Sequence, residues 1–279
     1  MTRISLGVTD HSRDSAGLRY VYPVVSRRAG GVSIGINLNP NNACNWRCIY
    51  CQVPDLTRGT APRIDLGLLE KELSGFLHEL QHGDFMQHVP PETRRINDIA
   101  LSGNGEPTSA QKFAGVIELI AKLKPAGLKL VLITNGSLMY RDNVQQGLRV
   151  MAQHDGEVWF KLDRASEAGM ARINDTAMTL EKVRQHLTIA ISCCANTWLQ
   201  TCWFALDGVA PSQQDEDDYL DFIAGLLRQD VKPQGVLLYG LARPSLQAES
   251  ARLSALPSES MEGFASRIRA LGMPVKVAV

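Results

Sequence analysis

The chain has 279 residues, 29 acidic and 29 basic, so its net charge is zero, and 44% of its residues are hydrophobic. That balance argues against extended binding to duplex nucleic acid, which phosphate contacts dominate. No stretch approaches the eighteen or more apolar residues of a membrane span, and the polar start, Met1 to Gly17, has no signal-peptide core. The sequence therefore predicts a cytoplasmic protein with no membrane partner. In that compartment its six cysteines are reduced thiols, and a cluster of them points to metal or catalysis rather than disulfides.

Met1 to Val32 reads as an N-terminal extension, followed by one domain over residues 33–279. Charge is uneven: from Met1 to Arg63 eight arginines face three aspartates, giving +5, and the remainder is −5. Arg19, Arg27 and Arg28 stand before the first strand, so an anionic substrate is expected there, either a small acid or nucleotide or a local RNA loop.

Strand patterns follow at SIGINL (33–38), DIALSG (98–103), LKLVLITN (128–135), EVWFKLD (157–163), WLQTCWFAL (198–206) and GVLLYGL (235–241). Helical patterns separate them, the first being GLLEKELSGFLHEL at 67–80. Alternation of this kind predicts βαβ units with right-handed crossovers and an α/β fold, a partial (β/α)6 TIM-like barrel of parallel strands. The final PVKVAV can add one more strand. The acidic run DEDDYLD (215–221) reads as a solvated first helical turn, favoured by the helix dipole, rather than a metal site.

The loop after the first strand reads ACNWRCIYCQ, with Cys44, Cys48 and Cys51 at C-x3-C-x2-C spacing. Full extension would separate Cys44 and Cys51 by roughly 23–25 Å, so three thiols can share one ligand only if the loop curls. A closed structural zinc site wants four protein ligands, whereas three leave a position open. Zinc remains a competitor through His78, His82 or His88, but no second C-x2-C pair is present. Cys193, Cys194 and Cys202 lie at a helix end and within a strand pattern, where free cysteine packs as a small hydrophobe. The loop's position suits a reactive site, because barrel enzymes place theirs at the C-terminal ends of strands.

Directly after the first strand of such a chain, the cysteine motif resembles that of the radical SAM superfamily. The resemblance implies a [4Fe-4S] cluster held by Cys44, Cys48 and Cys51, whose fourth iron is chelated by S-adenosylmethionine (SAM). It implies that Tyr50 lies beside the adenine, and that Gly103, Asn104, Gly105 and Glu106 of SGNGEPT hold the cofactor's amino group. Thr134, Asn135, Lys161 and Asp163, at later strand ends, match positions used for the ribose and the methionine carboxylate. Arg243 offers a partner for a carboxylate or phosphate.

The longer stretch RYVYPVVSRRAGGVSIGINLNPNNACNWRCIYCQ, with SGNGEPT and ITNGSL, resembles the branch related to tRNA wyosine-forming iron-sulfur oxidoreductases. No cysteine precedes Cys44, so the second cluster of those enzymes is not implied. No flavodoxin-like segment is fused, so a separate electron donor such as flavodoxin or ferredoxin is expected. The resulting expectation is an enzyme that cleaves SAM reductively and starts hydrogen abstraction. The alternatives are a tRNA-base-modifying enzyme and a non-catalytic iron-sulfur redox sensor or nucleic-acid-binding protein.

Overall fold

The computed structural model describes residues 17–26 and 31–278. Arg27 and Arg28, assigned above to an anionic substrate, lie outside them. Eight strands form one sheet, in which spatial order follows chain order: β1 (Val21–Ser26), β2 (Gly31–Ile36), β3 (Ile96–Leu101), β4 (Lys129–Thr134), β5 (Gly156–Lys161), β6 (Thr197–Cys202), β7 (Val236–Tyr239) and β8 (Val275–Ala278). β1 and β2 pair antiparallel, and every later neighbour is parallel.

Six parallel strands are therefore where the sequence pattern puts them, and the final run adds a seventh. The difference lies at the start, where the sheet takes in residues that the sequence reading assigns to an extension. Val21–Ser26 pairs along the whole of β2, with Pro23 opposite Ile34. A proline cannot donate to a ladder, so this strand suits the sheet edge it occupies.

Seven helices connect and cover the strands: α1 (Leu66–His82), α2 (Phe113–Leu123), α3 (Asp142–Ala152), α4 (Glu167–Asn174), α5 (Leu180–Cys193), α6 (Gln213–Arg228) and α7 (Ser258–Ala270). Side chains cap the starts of α1, α4, α5 and α6. Asp65 accepts from the Leu68 amide at 3.0 Å, and Ser212 and Asp215 cap α6 reciprocally. The acidic run thus opens a helix, as its composition predicts.

Alternation along the strands separates two environments. Ile34, Ile36, Ile99, Leu101, Leu130, Leu132, Val158, Phe160, Leu199, Val236 and Leu238 are all fully buried and join the hydrophobic core that the helices share. The intervening residues, among them Ser33, Gly35, Asp98, Ala100, Val131, Ile133, Trp159, Lys161 and Gln200, line a chamber of about 1360 Å³ on the other face. On β2, Gly35 makes room for the ring of Tyr22, which also lines the chamber. Leu132→Ala is expected to destabilise the fold by about 2–5 kcal/mol, the range for emptying a packed leucine site. Denaturant titration with an unchanged slope would measure it.

Candidate metal and cofactor site at the mouth of the sheet

The cysteine loop leaves the C-terminal end of β2 and curls back on itself. Ala43–Cys44 pairs with Thr57–Arg58, and the Gly59 amide donates to the Cys44 carbonyl at 3.0 Å, closing the loop at its base. Inside it, the Cys51 amide donates to the Cys48 carbonyl (2.9 Å). The amides of Arg47 and Ile49 reach the carbonyls of Asn174 (3.1 Å) and Ile173 (2.9 Å) at the end of α4. From the other side residues 245–249, which follow β7, clamp the loop. The Ser245 hydroxyl donates to the Ile49 carbonyl (2.8 Å), the Leu246 amide to that of Cys51 (2.9 Å), and the Gln247 amide group to that of Val53 (2.9 Å). Arg47 and Glu249 make a forked ion pair at 3.0–3.1 Å.

Cys44, Cys48 and Cys51 all line the chamber. Burial pushes the Cys44 thiol up to about 11 and Cys48 up to about 12, so both are protonated at neutral pH in the free chain. Two N–H groups already point at sulfur: the Trp46 amide at Cys44 Sγ (3.5 Å) and Asn174 Nδ2 at Cys48 Sγ (3.2 Å). Such donors favour the deprotonated, metal-binding form once a cation replaces the protons. Among the described residues no three His, Cys, Asp or Glu side chains converge tightly enough to hold a single ion. His78, His82 and His88 do not line the chamber; His78 and His82 pack on each other, and His88 Nδ1 lies 3.0 Å from the Asp84 carbonyl oxygen. The donor set is three soft sulfur ligands around an open cavity. That set fits a multi-iron cluster, held by thiolates, better than a closed zinc site.

The SGNGEPT turn packs directly on the cysteine loop. A Cβ on Gly105 would lie 2.0 Å from the Ala43 carbonyl oxygen, and one on Gly103 2.9 Å from Asn37 Cα. The two glycines thus permit a close approach between chain segments, beyond any approach to a ligand. Glu106 is 2% exposed. Its Oε1 accepts from the Thr108 amide (3.1 Å) and from the hydroxyls of Thr108 (2.5 Å) and Thr134 (2.6 Å), and its Oε2 from the Asn135 amide (2.7 Å). Burial raises its carboxyl above the ordinary range, while these four bonds pull the other way. Glu106 therefore ties the ends of β3 and β4 together, with capacity left only on Oε2. Asn135 continues the network through Asn45 (2.8 Å), just after Cys44.

The sequence-named residues divide accordingly. Tyr50, Gly103, Asn104, Gly105, Glu106, Asn135 and Lys161 line the chamber with the cysteines, as does Arg243, whereas Thr134 and Asp163 do not. Asp163 sits behind the wall, accepting from the Tyr50 hydroxyl (2.5 Å), Asn174 Nδ2 (2.7 Å) and the Cys202 amide (2.8 Å). It positions Tyr50 rather than facing the cavity. The Lys161 ammonium lies 5.0 Å from the Tyr50 ring centre and 3.2 Å from the Tyr239 hydroxyl. Burial alone would discharge it, but Tyr239 and Asp163 reverse that and hold it charged. Cys193, Cys194 and Cys202 are buried and outside any disulfide; Cys193 and Cys194 pack in the main core, whereas Cys202 also lines the chamber. Sequence reasoning missed the supports Asn45, Asn174, Ser245 and Glu249, which no local motif marks.

No family model matches the chain. A UPF0026 protein of Helicobacter pylori is 33% identical over 130 residues, 46% of this chain but only 38% of that protein's length. A UPF0026 protein of Synechocystis is 25% identical over 286 residues, covering 92% of this chain and 96% of the relative. Among solved structures, TYW1 with a lysine-pyruvate adduct bound has a TM-score of 0.57 at 14% identity, over 85% of this chain and 73% of that one. A radical SAM methyltransferase from Sphaerobacter thermophilus scores 0.58 at 12% identity, over 92% and 68%. Streptococcus suis SuiB bound to S-adenosylmethionine scores 0.56 at 10%, over 90% and 50%. The chain has the fold of the radical SAM enzymes, a mixed α/β architecture with a largely parallel, partial TIM-like sheet. Among the described residues no helix is long and apolar enough to cross a membrane.

Proposed function

We propose that this chain is a radical SAM enzyme, with a [4Fe-4S] cluster on Cys44, Cys48 and Cys51 and SAM in the adjoining chamber. One observation carries the reading: three thiols from one eight-residue loop line a chamber at the C-terminal mouth of the sheet. When bound, cluster and SAM together supply reductive cleavage to methionine and a 5′-deoxyadenosyl radical, the cofactor chemistry that the protein positions. The chain's own part is to hold and orient. Asn104, Asn135 and the open side of Glu106 Oε2 offer polar groups to the cofactor, and Tyr50 offers a ring fixed by Asp163. With the cofactor bound, the strands that wall the chamber would shield the reacting groups from bulk water. The reductant is a separate donor of the flavodoxin or ferredoxin kind. Arg19 and Arg243 on the chamber's lining favour an anionic substrate.

Reconstituted without oxygen and chemically reduced, the protein is expected to convert SAM slowly to methionine and 5′-deoxyadenosine even with no substrate present, as chromatography of the products would measure. A reduced, iron-loaded protein that neither binds SAM nor forms deoxyadenosine would point instead to the redox-sensor reading.

A further inference from the structure

Below the mouth, the chamber wall on β4 and β5 is largely apolar, formed by Val131, Ile133 and Trp159. The indole N–H of Trp159 donates to Glu157 Oε1 (2.6 Å), which fixes the ring in place. Against this wall one polar group stands out. Gln200 on β6 is 3% exposed, lines the chamber, and its Oε1 has no hydrogen-bond partner among the described residues. Buried acceptors are nearly always paired, so an unpaired one on a residue that lines the chamber asks for a donor from outside the chain; Oε1 itself is shielded in the ligand-free chain, and a turn of the side chain brings it to the ligand.

Beside it stands the opposite function. Lys161 is the register partner of Gln200 across β5 and β6, so an ammonium with donors only and an amide oxygen that accepts sit at the same height on the same face. The complement is a ligand edge with an acceptor and a donor side by side, the O=C–N–H of a carboxamide, lactam or imide. Turning the Gln200 amide over exchanges its acceptor for a donor, and the side chain still matches that edge. We infer that Gln200 and Lys161 together form a recognition site for such an edge on a small ligand lying against Trp159 and Ile133. That this ligand is the substrate rests on the function proposed above; the edge itself does not.

Three probes of one shape separate the chemistry: benzamide carries the edge, acetophenone lacks the N–H, and benzoate replaces the N–H by charge. Ligand-observed NMR on the full chain is expected to show benzamide binding about tenfold more tightly than acetophenone, the ratio one hydrogen bond supplies. Gln200→Met should bring the two probes level and, by removing an unpaired buried acceptor, raise the melting temperature of the ligand-free protein by about 2–4 °C. Gln200→Glu, which can pair with Lys161, should also lose the preference for benzamide. Equal binding of the two probes to the wild type, benzoate binding as tightly as benzamide, a preference that survives in either variant, or a lower melting temperature for Gln200→Met would overturn the inference. Displacement of benzamide by saturating SAM would assign the edge to the cofactor and overturn the substrate assignment. Failure of SAM cleavage in the wild type would sink the proposed function while leaving the probe comparison intact.

Discussion

Alanine at any one of Cys44, Cys48 or Cys51 is expected to reduce iron in the reconstituted protein from about four atoms per chain to near background, and deoxyadenosine formation with it. The loop supplies three ligands in eight residues, while His78, His82 and His88 lie away from the chamber; Cys202 also lines it, so iron that survives a single alanine change would assign a ligand role to Cys202. Alanine at Cys193 and Cys194 should leave the iron count unchanged, since those thiols pack in the core. Iron and sulfide analysis decides both points, and about eight irons per chain would reveal a second cluster. Retention should also weaken as pH falls, because burial holds Cys44 and Cys48 protonated and metal must displace those protons.

Glu106→Ala is expected to be the most damaging single change away from the cysteines. It leaves the amides of Thr108 and Asn135 and the hydroxyls of Thr108 and Thr134 without their acceptor in a buried site. Loss of one partner from a buried network of this kind costs about 3–5 kcal/mol, which for a chain of this size lowers the melting temperature by on the order of 10 °C. Glu106→Gln should fall between, since its amide keeps one acceptor but turns N–H groups toward another N–H. The network reaches Asn45, so iron retention should drop along with SAM affinity. An alanine variant with wild-type melting and full iron would restrict Glu106 to the cofactor alone.

Much of this architecture was legible because its signals are local. Six apolar runs of strand length, separated by helical periods, mark the sheet, and the spacing of Cys44, Cys48 and Cys51 marks the loop. The role of Glu106 was less legible. A carboxylate in a glycine-rich turn reads as a ligand for a cation, and only the fold reveals Thr134 and Asn135, 28 and 29 residues away, closing on it. Gln200 shows the opposite limit. It sits in WLQTC, where alternation alone allows solvent or cavity, and only the fold, which sets Gln200 in the chamber wall, makes its buried oxygen conspicuous. β1 was missed because VYPVVS contains a proline, which argues against a central strand and is silent about an edge.

The clamp on the cysteine loop bears on when the site can be completed during synthesis. Ile49 and its partner Ser245 are 196 residues apart, so at ~5–20 residues per second the ribosome needs roughly 10–40 s to deliver the second after the first. Until then the loop lacks the hydroxyl and amides that hold the carbonyls of Ile49, Cys51 and Val53. Iron is therefore expected to enter only once residues 245–249 have been made and have docked on the loop. Ribosome-bound chains stopped before Ser245 should retain little iron, and chains extended past Glu249 should hold it.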